Sequence, residues 1–216
     1  MPPMKRGDWS LDNPYDHQLI LERLINGIAI VTTGSGLPND RLPLTTSVTM
    51  VEVGVANGQT SEYLLRKCPT LRLLMVDSWT TAPNSSRPQE TYDRSREFAY
   101  SRTEFAAERR YRMWGPSLEC AENVQVKISN HPDWVFGPTF DIVFIDADHR
   151  DYSVLSDCAA WWPLVKPGGV LCGHDYDSPR TEKGQWGVPR AVKLFSRLVN
   201  QPFSVEKSVW VMNKPV

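Results

Sequence analysis

Residues 144–152 read FIDADHRDY, an apolar run that ends in Asp146, Asp148, His149 and Asp151. Carboxylates next to buried apolar positions must be hydrogen-bonded, protonated or joined to a cation. The stretch is therefore expected to carry a site. An imidazole of ordinary pKa near 6.5 is suited to taking a hydroxyl proton at neutral pH, which makes His149 the candidate general base. The alternative is that His149 caps or packs on a helix beginning near Asp151. A second acidic position, Asp175, ends the run GVLCGHD, residues 169–175. In an open parallel sheet the ligand crevice lies beyond the carboxyl ends of the strands, so Asp146 and Asp175 on neighbouring strands would stand side by side. A Mg²⁺-like ion between them is the economical way to remove their repulsion. His174, beside Asp175, reads equally as a site group or as a buried hydrogen-bonded histidine.

Upstream, residues 51–65 read VEVGVANGQTSEYLL. A strand ending in Glu52 turns through Gly54, Asn57 and Gly58 into a helix, a layout that brings backbone close to a ligand at the helix start. The spacing is G-x-x-x-G, not the G-x-G-x-x-G that seats a pyrophosphate. Glu52 would repel a pyrophosphate and attract a ligand ammonium. Asp77 closes the next apolar run, LRLLMVD, about 20 residues on, the interval at which an acidic residue meets ribose hydroxyls. Its alternative is to cap the following turn.

These groups need a scaffold. From residue 48, short β-rich runs alternate with helical segments, the signature of βαβ units and a mostly parallel sheet. The expected strands are VTMVEVG (48–54), LRLLMVD (71–77), VQVKIS (124–129), DIVFIDA (141–147) and GVLCGHD, closed by a tight hairpin in FSVEKSVWVMNK (203–214). Helices are expected near 15–31, 59–68, 92–113, 151–165 and 187–200. Residues 1–47 read as an N-terminal helix and loop extension, and 48–216 as the sheet-bearing domain, one domain overall.

The 216 residues are 41% hydrophobic and 23% charged, enough for a sizeable core, and the net charge of −1 argues against a nucleic-acid or anionic-membrane binder. The arginine-aromatic stretch 94–115 carries Glu97, Glu104 and Glu108, which suits a solvated helix better than a nucleic-acid surface. Four dispersed cysteines without a C-x-x-C pair suggest reduced thiols, and no leader or spanning segment is read, so a cytoplasmic, soluble protein is expected. A small-molecule partner fits best.

Glu52, the Gly54/Gly58 turn and Asp77 together resemble the S-adenosylmethionine site of class I methyltransferases. WWPLVKPGGVLCGHDY (161–176) is similar to that family's helix, Pro-Gly-Gly turn and fifth strand. The resemblance spans roughly 48–214 and is nearest to small-molecule O-methyltransferases of the catechol, sugar and macrolide types. It implies a Rossmann-like α/β fold: a seven-stranded, mostly parallel sheet with an antiparallel last strand and helices on both faces. It further implies that Thr60 stands where the family's serine holds the methionine end of the donor, that Ser129 offers a polar adenine contact, and that Trp79 forms an adenine wall. His131 aligns loosely with the adenine contacts. Asp146 and Asp175 match metal positions of the catechol enzymes, but the Asn that follows there is Tyr176 here, leaving Asp177 as a substitute oxygen ligand or no metal at all. His149 takes the place of the family's base. The expected activity is O-methylation of a small molecule from S-adenosylmethionine, with Mg²⁺ as a candidate helper. An NAD-dependent oxidoreductase and a non-catalytic Rossmann-like domain are the rivals.

Overall fold

The computed structural model describes residues 10–33, 47–81, 87–130, 136–137, 139–178 and 186–216, side chains of 30–33 and 125–130 excepted. His131 and parts of the loops after residues 33 and 81 lie outside them.

Seven strands form one sheet: β1 (Val48–Val53), β2 (Leu71–Asp77), β3 (Arg110–Trp114), β4 (Phe140–Ile145), β5 (Val165–Gly173), β6 (Phe203–Glu206) and β7 (Val209–Asn213). Their order is β3-β2-β1-β4-β5-β7-β6. The first five are parallel, and β7 runs antiparallel to both β5 and β6. This is the doubly wound sheet the sequence implied. Its order reverses between β1 and β4, so their tips part and open a crevice.

Among the described residues six α-helices cover the faces: α1 (Asp16–Thr33), α2 (Gln59–Lys67), α3 (Gln89–Arg102), α4 (Ser117–Asn130), α5 (Asp151–Trp161) and α6 (Val188–Val199). β1 and β4 are buried along their whole lengths, as a strand covered on both faces must be. Val51, Val53 and Val143 pack towards α4, α5 and α6 through Val124, Val154, Cys158, Trp161, Val192 and Phe195. Met50, Leu73 and Phe144 point the other way, onto Leu21 and Ile25 of α1 and Leu64 of α2. The four cysteines are buried free thiols.

One strand is not where the sequence placed it. VQVKIS lies inside α4, so Ser129 sits near the end of a helix and does not follow a strand. β-Branched residues suggested extension there, but Cys120, Ala121 and Val124 bury at helical spacing and take the segment with them. The third strand is RYRMW, the tail of the stretch read as a helix over 92–113; α3 ends at Arg102. Its arginines disguised it. Arg110 is 6% exposed, with Nε donating to the Thr103 carbonyl and the guanidinium paired with Glu104. Arg112 and Arg96 stack over Tyr100 and Trp114, each 4.0 Å from the ring centre.

The β6–β7 hairpin turns through Lys207 and Ser208, both with positive φ (50° and 69°), the pair of left-handed residues that a two-residue turn needs. Ser208 also meets the loop after β5. Its carbonyl accepts the Tyr176 N–H and its Oγ accepts the Asp177 N–H, each at 3.0 Å, pinning the loop after β5.

Candidate active site

The strand tips of β1, β2, β4 and β5 open into a cavity of about 1720 Å³, room for two ligands side by side. Gly54 (φ 98°) leaves β1 against the end of β4, where a Cβ would stand 2.2 Å from the Asp146 carbonyl oxygen. Gly58 (φ 76°) precedes α2, and a Cβ there would lie 2.7 Å from Cα of Ala99 on α3. The close approaches that the fold requires of these glycines are to neighbouring backbone, and Gly54 also lines the cavity.

Asp77 organises the same loop. Its Oδ2 accepts the Ala56 N–H and its Oδ1 the Trp79 N–H, both at 2.8 Å. Burial pushes its carboxyl above the ordinary range, and these backbone donors pull back part of that shift. It therefore caps the turn, yet it also lines the cavity. Asn57 and Thr60 line it too. Trp79 does not: it is 1% exposed, its indole N–H donates to the Ala56 carbonyl at 2.7 Å, and its ring meets Tyr100 edge-on. The adenine wall expected of it is replaced by a prop behind the glycine loop.

Glu52 is 2% exposed, and the Ser61 hydroxyl donates to its Oε2. Burial pushes the carboxyl up from 4.5 to about 8; Ser61 offsets part of this, while Asp146 and Asp77 add to it. Three carboxyl groups, Glu52, Asp77 and Asp146, thus face one cavity. Such a field favours a ligand carrying positive charge and hydroxyls over one carrying phosphates.

The opening cluster divides in two. Asp148 is satisfied locally by the Arg150 guanidinium (Nε at 2.7 Å) and the Ser153 hydroxyl at 2.9 Å. Asp151 accepts the Tyr152 N–H and pairs with Arg190. Asp146 and His149 turn inward to meet Asp175. His149 Nε2 lies 3.4 Å from Asp146 Oδ1 and 2.8 Å from Asp175 Oδ2, with its ring stacked on Trp186 at 3.9 Å. Burial opposes a charge on this imidazole, but hydrogen bonds and attraction from Asp146 and Asp175 outweigh it and push His149 from 6.5 up to about 9. A protonated His149 is one cation that relieves the paired carboxylates. Asp175, at φ 60°, holds a left-handed backbone conformation that is costly for a non-glycine residue and recurs at functional sites. Asp177 is exposed and does not line the cavity, so the substitute oxygen ligand sought there is not supplied.

A family model described as a methyltransferase domain matches residues 51–176. The chain belongs to this methyltransferase family. Its class is the class I, S-adenosylmethionine-dependent one, which displaces the NAD-dependent alternative. No curated protein matches the sequence significantly. Among solved structures, a Staphylococcus aureus protein assigned as a caffeoyl-CoA O-methyltransferase is 14% identical with a TM-score of 0.59, over 99% of this chain and 85% of that one. A Bacillus cereus O-methyltransferase in complex with SAH (S-adenosylhomocysteine) is 17% identical with a TM-score of 0.52, over 93% and 92%. A methyltransferase from mycinamycin biosynthesis, in complex with Mg, SAH and mycinamycin VI, is 19% identical with a TM-score of 0.51, over 78% of this chain and 45% of its own.

The methyltransferase cavity also has walls that the sequence reading missed. The first turn of α1 delivers His17, and Tyr15 lies just before it. His17 Nε2 is 2.9 Å from Thr60 Oγ1, and the Gln18 amide donates to the same oxygen at 3.4 Å. His17 is 9% exposed; burial and the neighbouring His174 push its imidazole down to about 4, so it is neutral. Beyond β3, Gly115, Pro116 and Ser117 lead into α4 and line the far end with Asp157 of α5. Burial raises Asp157 from 3.8 to about 6, the Ser117 hydroxyl opposing. The signal was present as Gly-Pro-Ser, a breaker pair opening a helix just past the expected helix over 92–113, but the segment after it was read as a strand at 124–129.

Proposed function

We propose that this methyltransferase transfers a methyl group to an oxygen of a small molecule, with His149 as the base. The observation that carries the reading is His149 held between Asp146 and Asp175 at the end of an acid-lined cavity. S-adenosylmethionine, when bound, supplies a sulfonium methyl carbon to the attacking oxygen. Its chemistry suits the cavity: the Glu52 carboxyl faces an ammonium, Asp77 accepts ribose hydroxyls, Thr60 meets the methionine end, and the acidic rim favours the sulfonium charge. Gly54, Asn57 and Gly58 shape the floor. The Gly115–Ser117 turn, rather than Trp79 or Ser129, closes the adenine end.

The chain's own work is then to orient and to move one proton. Asp146 and Asp175 fix the imidazole, and the Trp186 ring limits its rotation. His149 takes the acceptor hydroxyl's proton on its unprotonated ring nitrogen as the oxygen moves in line with the methyl group, and orientation supplies much of the acceleration. A neutral imidazole is required, while the bare pair of carboxylates keeps it protonated. A divalent cation fits the same place: donor atoms of Asp146, His149 and Asp175 all lie within 4.8 Å of one another. Asp146 and Asp175 would hold such an ion, which would supply positive charge that lowers a hydroxyl's pKa and would stand in for the imidazolium beside the carboxylates. The mycinamycin-pathway structure, which contains Mg and SAH, supports this by analogy.

The test is calorimetry with S-adenosylhomocysteine beside a methyl-transfer assay on hydroxylated small molecules. His149→Ala should lower turnover by about 100-fold or more while donor affinity stays within about threefold. Saturable donor binding with no transfer to any oxygen acceptor would favour the non-catalytic reading.

A further inference from the structure

We infer that His174 is the third protein ligand of the cation held by Asp146 and Asp175, so that the site selects a nitrogen-tolerant transition ion such as Mn²⁺, Fe²⁺, Co²⁺ or Zn²⁺ over Mg²⁺. The inference rests on the cation reading above and goes beyond it to the chemistry of the ion.

His174 Nδ1 stands 3.6 Å from Asp175 Oδ2 and 3.8 Å from Asp146 Oδ2. Both distances are too long for hydrogen bonds, yet nearly equal. Two ligands bound to one ion at about 2.1 Å lie roughly 3.0 Å apart across an octahedral edge and 3.4 Å apart in a tetrahedron. Closing these gaps by about 0.2–0.4 Å reaches the tetrahedral spacing and by about 0.6–0.8 Å the octahedral one, which puts His174 Nδ1 within shared reach of an ion held by both carboxylates. His149 stands differently. At 2.8 Å it is in direct hydrogen-bond contact with Asp175, and it faces the other oxygen of Asp146. The two imidazoles meet Asp175 at the same oxygen but Asp146 at different ones, so that with His174 and the carboxylates on the cation His149 is left to act as the base.

His174 is also held in place. Its N–H donates to the Ile145 carbonyl at 3.2 Å, tying it to the end of β4. Its ring lies 4.6 Å from the ring of His17, which itself stacks against Phe144 and Tyr15 and is hydrogen-bonded to Thr60. A half-buried imidazole braced in this way by a second, buried one is a ligand whose orientation is set before the ion arrives, as outer-shell contacts do at metal centres. The donor set is then two carboxylates and one imidazole, with remaining positions open to water or acceptor. Mg²⁺ keeps to oxygen donors, whereas imidazole suits the later divalent ions.

The experiment is isothermal titration of the chelator-treated protein with Mg²⁺, Mn²⁺ and Co²⁺, together with pulsed EPR of the Mn²⁺-loaded protein. Wild type should bind one Mn²⁺ or Co²⁺ at least about 100-fold more tightly than Mg²⁺, and the Mn²⁺ spectrum should show nitrogen coupling. His174→Ala should lose that coupling, and His174→Glu should narrow the Co²⁺/Mg²⁺ ratio at least tenfold by restoring an oxygen donor. S-adenosylhomocysteine binding reports that both variants are folded. Mg²⁺ binding as tightly as Mn²⁺, no cation binding, or nitrogen coupling that persists in His174→Ala and disappears in His149→Ala would each overturn the inference. Methyl transfer measured in excess chelator judges the proposed reaction separately.

Discussion

Glu52 and His149 are held away from their ordinary charge states by opposite means. Burial with other carboxylates raises Glu52 to about 8, and paired carboxylates raise His149 to about 9. For Glu52 the native state binds the proton more tightly than the unfolded chain does. Between pH 4.5 and about 8 the unfolded state is therefore the more ionised one, and stability falls as pH rises. Glu52→Gln should remove that decline: urea unfolding of the ligand-free protein should show the variant gaining on wild type by up to about 1.4 kcal/mol per pH unit across the window. An equal slope in both proteins would mean that Glu52 is ionised in the fold. For His149 the consequence is kinetic. In excess chelator the methyl-transfer rate should climb about tenfold per pH unit towards pH 9, where the imidazole loses its proton, and a bound divalent cation should move that limb to lower pH. A chelated enzyme whose rate is already flat at pH 7 would take His149 out of the role of base.

Among the elements, the turn between β1 and α2 and the helix α1 set the shape of the cavity. Gly58 stands at φ 76° with α3 against it, so Gly58→Ala combines a left-handed alanine with a backbone clash at 2.7 Å. Chemical denaturation should show a loss of about 1–3 kcal/mol, and because the same turn carries Asn57 and Thr60, donor affinity should weaken too. α1 is tied down by Glu22 accepting the Tyr63 hydroxyl at 2.5 Å and by Leu21 and Ile25, both fully buried. Leu21→Ala should cost about 2–5 kcal/mol in denaturant unfolding. S-adenosylhomocysteine affinity should fall with it, because α1 brings His17 and Gln18 to Thr60. Unchanged affinity in a destabilised variant would show that α1 serves the core alone.

At the scale of the whole molecule, a doubly wound sheet gathers at one rim residues that are far apart in the chain, from His17 to Asp175 and Trp186. None of its described helices is long and apolar enough to cross a membrane. Much of this was legible beforehand. Alternating β runs and helical segments marked the layers, and a strand followed by glycines and a helix marked one end of the cavity, because local patterning reports which residues must be buried on both faces of a sheet. Asp146, His149 and Asp175 were legible for a similar reason: a charge at the end of an apolar strand has few structural uses. What misled was local pattern without partners. VQVKIS has strand composition and RYRMW does not, yet the sheet took RYRMW, since an edge strand needs backbone pairing on one side and can carry arginines stacked on aromatic rings. Trp79 looked like a wall because its sequence neighbour faces the cavity, while its own ring turns back into the core. By itself, then, the sequence determined the periodicity, and with it the layers, the strand tips and the acids placed on them. Only the tertiary structure decided which side chains meet across those tips: His149 with both carboxylates, His174 with His17, and Thr60 with an N-terminal helix more than 40 residues away. Such meetings depend on how rigid elements pack at distances that no local pattern encodes.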